Sequence, residues 1–213
     1  MAQLEKGILG PFSGKVGTVV GSNLRGKQII RSLPVKSGKP STALQMEHRA
    51  KFKTVFDFLK PLTPLVAITF KERSNDKTPH NAAMQYNYRN ALTGAYPDYS
   101  IDLTSALVAD GSLPRTLAAP IAADPAGGLL TFAWTDNSGI ASAKATDKVI
   151  LVAYCEELKD CVYTIGPALR SAATANLPVP GYRGKTVHTW LSFISANDKL
   201  VATSVYTGSI LVP

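Results

Sequence analysis

Lys148-Val149-Ile150-Leu151-Val152-Ala153-Tyr154-Cys155, then Glu156-Glu157-Leu158-Lys159-Asp160, then Cys161-Val162-Tyr163-Thr164-Ile165 is the stretch on which the reading of the fold turns. Two runs rich in β-branched and aromatic residues flank a short polar loop, the pattern of an antiparallel hairpin. The same texture recurs from about Tyr99 onward, at residues 100–108, 128–135, 169–177, 186–194 and 200–206. With the opening pair these make seven strand candidates separated by Gly, Pro, Asn and Asp. They predict an antiparallel β-sandwich of immunoglobulin or fibronectin type over residues 96–213. Trp134 and Trp190 are its expected core anchors, and Asn197-Asp198 is the expected turn between its last two strands.

The texture is different upstream. Residues 41–95 read as a helical segment. Thr42-Ala43-Leu44-Gln45 matches a capping box, and Phe52, Val55, Phe56 and Leu59 fall on one helical face flanked by Arg49, Lys51, Lys53 and Lys60. Pro61 ends that helix, Thr63-Pro64 restarts a short one, and Thr78-Pro79 opens a third carrying Tyr86 and Tyr88. Residues 1–40 read as a Gly-rich, basic β arm that ends in a linker at 36–40. Its two short runs, 15–20 and 27–33, are expected to pair as a hairpin around a loop at Gly21-Ser22-Asn23-Leu24-Arg25-Gly26. An isolated hairpin is marginal in water, so this one is expected to lie on its own core or on a neighbouring subunit. The fold class predicted is therefore α+β.

Charge is unevenly placed. Residues 1–90 hold fifteen Lys and Arg against five acids, whereas residues 91–213 hold eight against ten. A molecule polarised in this way attracts polyanions or an acidic protein face at one end, or else simply carries its solubilising charge unevenly. No stretch approaches the roughly 18 apolar residues of a membrane span. The first ten residues carry an acid at Glu5 and lack a secretory apolar run, so the chain is read as cytoplasmic. In that compartment Cys155 and Cys161 are expected to be reduced thiols. A short-loop disulfide is the alternative, and no second ligand pair completes a metal site.

Several catalytic patterns fail on spacing. Ser13-Gly14-Lys15 and Gly184-Lys185-Thr186 echo a phosphate-binding loop, but the glycine needed five positions earlier is Leu9 in one case and Val179 in the other. His48, His80 and His188 are isolated, and no Gly-x-Ser-x-Gly elbow occurs. Asp98 with Asp102, or Glu156 with Glu157, are close in sequence, which does not establish a separation across a cleft. No enzyme activity and no cofactor are expected.

The stretches Leu4-Glu5-Lys6-Gly7-Ile8-Leu9-Gly10, Phe12-Ser13-Gly14-Lys15-Val16-Gly17-Thr18-Val19-Val20-Gly21-Ser22, Arg25-Gly26 and Ile30-Arg31-Ser32, followed by Gln45, Arg49 and Lys51-Phe52, resemble a Bacteroidota protein family of similar length and unknown function. The resemblance is specific in the N-terminal third and loose in the C-terminal strands. In that family an aromatic residue often stands where this chain has Leu24. The resemblance implies no activity and transfers no site residues.

The expected function is that of a non-catalytic structural or assembly protein forming homo-oligomers, such as a component of a virion, prophage particle or filament. Its subunit interface would comprise Val16, Val19, Val20, Leu24, Ile29 and Ile30, through strand addition of the arm. One alternative is a nucleic-acid-binding module with Lys15, Arg25, Lys27, Arg31, Lys36 and Lys39 on phosphates. A second is a carbohydrate or peptide recognition module using loops 136–139 or 178–184, where Tyr182 and Arg183 read as exposed.

Overall fold

The protein's structure is a computed structural model that describes residues 3–4, 10, 12–24, 26–35, 38–116, 122–123 and 128–213. The chain divides into two compact units, Met1–Thr42 and Ala43–Pro213, with no division at the composition change near residue 95. The fold is mixed α+β, with N-terminal hairpin strands, helices and C-terminal antiparallel sheets.

The first unit is a four-stranded antiparallel meander of β1 (Gln3–Leu4), β2 (Phe12–Val16), β3 (Val19–Leu24) and β4 (Lys27–Ser32). This corrects the expected hairpin, because 21–24 is strand and not loop. The chain reverses earlier, after Val16, and again after Leu24, and at each reversal a glycine, Gly17 or Gly26, takes the positive φ that a two-residue turn requires. The Asn23 side chain accepts the Gly26 N–H at 2.8 Å and closes the second turn. Gly21 is a strand residue whose lack of a side chain matters: a Cβ there would lie 2.2 Å from the Phe12 carbonyl oxygen and 2.7 Å from its ring.

In the second unit the helices are α1 (Ala43–Leu59), α2 (Thr63–Thr69) and α3 (Pro79–Asn90), where the expected proline restarts and the Thr78 cap occur. A small hairpin follows, β5 (Leu92–Ala95) with β6 (Asp98–Ile101). The remaining strands are β7 (Ala122–Ala123), β8 (Leu129–Ala133), β9 (Lys148–Cys155), β10 (Asp160–Leu169), β11 (Thr174–Pro178), β12 (Thr186–Ile194) and β13 (Val205–Leu211). They form two antiparallel sheets in the orders β10-β9-β12-β13 and β11-β8-β7.

The four-stranded sheet is covered on both faces. Ile150, Val152, Tyr154, Trp190 and Ile194 pack against Val55, Phe58, Leu59, Leu62 and Val66 of the helical layer. On the opposite face Leu151, Ala153, Leu191 and Phe193 pack against Leu130, Phe132, Trp134 and Leu177 of the three-stranded sheet. Seven of the eight residues of β9 are buried, which explains why its sequence is a continuous apolar run and does not alternate. Each fully buried Ile, Leu or Val contributes about 1.5–3 kcal/mol relative to exposure.

One buried pair organises the loops at the edge of this core. Arg170 and Asp147 are both essentially inaccessible, with Nε to Oδ2 at 3.1 Å. Arg170 also donates to Asn137 Oδ1 at 2.5 Å and to the Pro114 carbonyl at 3.2 Å, and its guanidinium lies 3.9 Å from the centre of the Phe193 ring.

Three strand expectations are corrected by side chains that take over backbone hydrogen bonds. Strand β6 stops at Ile101, short of the expected 100–108, because the following amides bond elsewhere. Asp102 accepts from Thr104 N at 3.0 Å, Asn87 exchanges two bonds with Leu107, and Ser204 Oγ accepts from Val108 N and Ala109 N. The expected strand at 200–206 begins only at Val205, since Val201 N donates to Glu72 and Ser204 N to the Ala109 carbonyl. Residues 169–177 are broken by a 3-10 turn at Arg170–Ala172, which places Arg170 on Asp147.

Cys155 pairs in register with Asp160, and Cys161 with Tyr154. Successive residues face opposite sides of a sheet, so the two thiols belong to opposite cores and do not face one another, and both are free.

Candidate functional site

Two surfaces stand out as sites, and both are exposed faces and not clefts. The first is the sheet of the N-terminal unit. Its register distributes the sequence-predicted interface residues over two faces. Val16 pairs with Val19, and Ile30 with Gly21, so Val16, Val19 and Ile30 share one face. Lys15 pairs with Val20 and Val20 with Arg31, Ser22 with Ile29, and Leu24 with Lys27, so Val20, Leu24 and Ile29 lie on the other face among Lys15, Lys27 and Arg31. The six residues are therefore not one patch. Three of the predicted cations do come together; Lys39 lies after the sheet, and Arg25 and Lys36 fall outside the described residues.

Val16, Leu24, Ile29 and Ile30 are 50%, 59%, 38% and 66% exposed. Among the described residues of the unit only Gly21 is buried. Strand β4 is exposed throughout and, among the described residues, pairs on one side only, with β3.

The second surface is formed by α1 and α3. Phe52 and Phe56, expected to share the apolar face of α1 with Val55 and Leu59, are 54% and 42% exposed. The helix is rotated so that Val55, Phe58 and Leu59 face the sheet, because the apolar contacts offered by Tyr154 and Trp190 are met by Phe58. The Phe52 and Phe56 rings are stacked with centroids 6.3 Å apart, and His80 meets Phe56 edge-on at 6.0 Å. An open depression of about 520 Å³ adjoins them, lined by Phe52, Asn81, Met84, Gln85, Tyr88 and Arg89. His48 Nδ1 and Tyr88 Oη are 3.2 Å apart beside it. Sequence reasoning missed this surface because helical spacing shows which residues share a side, not which side a neighbouring sheet will cover.

On the flank of α1, Glu47 accepts hydrogen bonds from Lys51 at 2.6 Å and Tyr99 at 3.0 Å. Those bonds, with Lys51 first, hold the Glu47 carboxyl below its ordinary value, and the one with Glu47 raises Lys51. The trio ties the β5–β6 hairpin to α1.

The remaining candidates are absorbed by local structure. Tyr182 is 2% exposed, which corrects the expectation that it is a surface residue: its ring fills the core between β11 and β12, and its hydroxyl donates to Asp160 at 3.3 Å. Arg183 is exposed beside it. In loop 136–139, Asn137 is engaged by Arg170 and by the Arg115 carbonyl. Lys185 of the second phosphate-loop echo pairs with Glu157 at 2.5 Å. Asp102 accepts from Ser105 and Thr104 as a turn cap, and those bonds, Ser105's first, lower its pKa. His188 is hydrogen-bonded to Tyr206 at 2.9 Å, and burial lowers its pKa. Among the described residues no group of three His, Cys, Asp or Glu converges as a metal site, and no helix is long and apolar enough to cross a membrane.

The sequence profile of a family of unknown function (DUF6266) matches residues 11–208, spanning β2 to β4 of the N-terminal sheet, the helices and nearly all of the C-terminal strands. No curated protein matches the chain.

Proposed function

Since the chain belongs to the DUF6266 family of unknown function, we propose its role from its own surfaces: a non-catalytic structural or assembly protein that forms homo-oligomers through the sheet of residues 12–32. The observation that carries this is the meander, with four large apolar side chains open to solvent and Gly21 as the one buried residue among those described. Two adjacent hairpins without a core are marginal in water. Docking a sheet face, or adding a strand at the open edge of β4, supplies the missing contacts. The register favours the Val16, Val19 and Ile30 face as the docking side, because the other face would bring Lys15, Lys27 and Arg31 out of water with it.

The C-terminal strands are read, at finer grain, as an immunoglobulin- or fibronectin-like sandwich whose work is spacing and recognition. Four-stranded and three-stranded sheets support this reading, as does a chain that passes from one to the other between β8 and β9, β10 and β11, and β11 and β12. Such a module suits a virion, prophage particle or filament built from repeated copies.

Light scattering of the intact protein and of a chain beginning at Lys39 tests the assembly reading. A multiple of the single-chain mass for the first and a single-chain mass for the second is the expected pair. Single-chain masses for both overturn it.

A further inference from the structure

The exposed aromatics of α1 are unexplained by the assembly reading, and their surroundings say what they suit. Arg49, Phe52, Lys53, Phe56 and Lys60 follow one another at spacings of three, one, three and four, a single stripe along the helix that alternates cations with aromatic rings. From α3, Asn81, Gln85 and Arg89, spaced by four, run beside it, with Tyr88 between the two helices. Lys53, Lys60 and Arg89 are exposed, and none has an ion pair among the described residues. Of the acids nearby, Glu47 is held by Lys51 and Tyr99, Asp110, which shares a depression with Arg89, is paired with Arg73 at 3.5 Å, and Asp57 lines a different depression with Tyr154 and Glu156.

Charge decides between occupants. A second copy docking its Val16, Val19 and Ile30 face would bring no acidic strand residue to Lys53, Lys60 and Arg89 and would leave their charges uncompensated. These cations suit an anionic occupant. Two nearly parallel rings, 15° apart in plane and each about half open, offer faces on which flat groups stack, and the side-chain amides of Asn81 and Gln85 offer donors and acceptors to the edges of such groups. Gln85 is held in place by Lys77. A polymer of phosphates and bases uses all three features, whereas an acidic peptide has no need of the ring faces.

We propose that the α1–α3 face binds single-stranded nucleic acid, with bases stacked on Phe52, Phe56 and Tyr88 and phosphates at Lys53, Lys60 and Arg89. Stacking on exposed rings is tolerant of sequence, so the site reads strandedness and not base order. Three phosphate contacts imply a fall in affinity of roughly 20-fold between about 50 and 200 mM salt.

Fluorescence anisotropy of the full chain with a labelled oligothymidylate of about 15 nucleotides, and with a duplex of the same length, tests the proposal. The single strand is expected to bind more tightly than the duplex. Phe52→Ala with Phe56→Ala weakens binding by roughly 10-fold per ring, whereas Phe52→Tyr retains it. Lys53→Gln with Arg89→Gln reduces the salt slope by about 1.4. Lys15→Gln, Lys27→Gln and Arg31→Gln together leave the affinity unchanged within about twofold, since the N-terminal sheet is not part of this site. Circular dichroism verifies that each variant is folded; these side chains are exposed, so it should be. Absence of binding at low salt overturns the proposal. So does equal affinity after loss of both rings, loss of binding through the three N-terminal substitutions alone, or a double-ring variant whose only change is a smaller particle mass.

Discussion

β9 and β3 are both central strands of four-stranded antiparallel sheets, and both are rich in β-branched residues, yet β9 buries seven of its eight residues and β3 buries only Gly21. The difference lies in what each sheet is given to pack against. β9 has a helical layer on one side and a second sheet on the other. The strand partners of β3 are β2 and β4, and the single residue it buries is a glycine whose missing side chain lets Phe12 close over it. The C-terminal sheet is thus covered on both faces, whereas the described residues of the N-terminal unit form strands whose large apolar side chains are exposed. β-propensity reports compatibility with a pleated surface, and only the surrounding layers decide whether that surface is a core or an interface.

The comparison can be broken most forcefully in the C-terminal unit. Arg170→Ala leaves Asp147 buried without its counter-charge and removes the bonds to Asn137 and Pro114. A loss of about 3–5 kcal/mol is expected, read as the urea midpoint of unfolding. Gly21→Ala attacks the other unit: the added methyl meets the Phe12 backbone, for a local cost of about 1–3 kcal/mol. Amide protection over residues 12–32 should fall while the unfolding midpoint of the C-terminal unit stays where it was.

A smaller effect is expected from Glu72, which binds the helical layer to the sheet by accepting from Ser112 N and Val201 N. Burial alone would raise its pKa, but hydrogen bonds from Ser112 and Val201 outweigh that and hold it below the ordinary value. The folded state therefore releases this proton more readily than the unfolded chain. The resulting stability is present above the ordinary carboxylate pKa and is lost as pH falls through the lowered one. In urea titrations between about pH 6 and 3, Glu72→Gln should flatten that acid limb. The smallest effect on stability is expected from Ile30→Asp, which sits on an open face. It should change the unfolding free energy of the C-terminal unit by less than about 0.5 kcal/mol and yet reduce the particle mass.

Much of the C-terminal unit was legible because a buried strand writes its environment into an unbroken apolar run, as at 148–155 and 186–194. The prolines and Thr78 marked the helices for an equally local reason, since capping needs only near neighbours in sequence. Segment 102–109 was illegible. Its extended appearance is real, but Asn87 and Ser204, remote in sequence, take the amides that a ladder would have used. The same limit hid the two surfaces. Nothing in Phe52 and Phe56 distinguishes them from Val55 and Leu59 until the sheet takes one side of α1. The loop expected at 21–26 gives way to strand over 21–24, because the role of Gly21 is close approach within a strand and not a turn.

Hydrogen exchange over residues 19–32 at two protein concentrations about a hundredfold apart bears most directly on the N-terminal sheet. Protection that grows with concentration, together with unchanged protection of β9 and β12, is the result expected of a sheet that docks on another chain. Equal and strong protection at both concentrations, in a particle with the mass of one chain, would contradict the account.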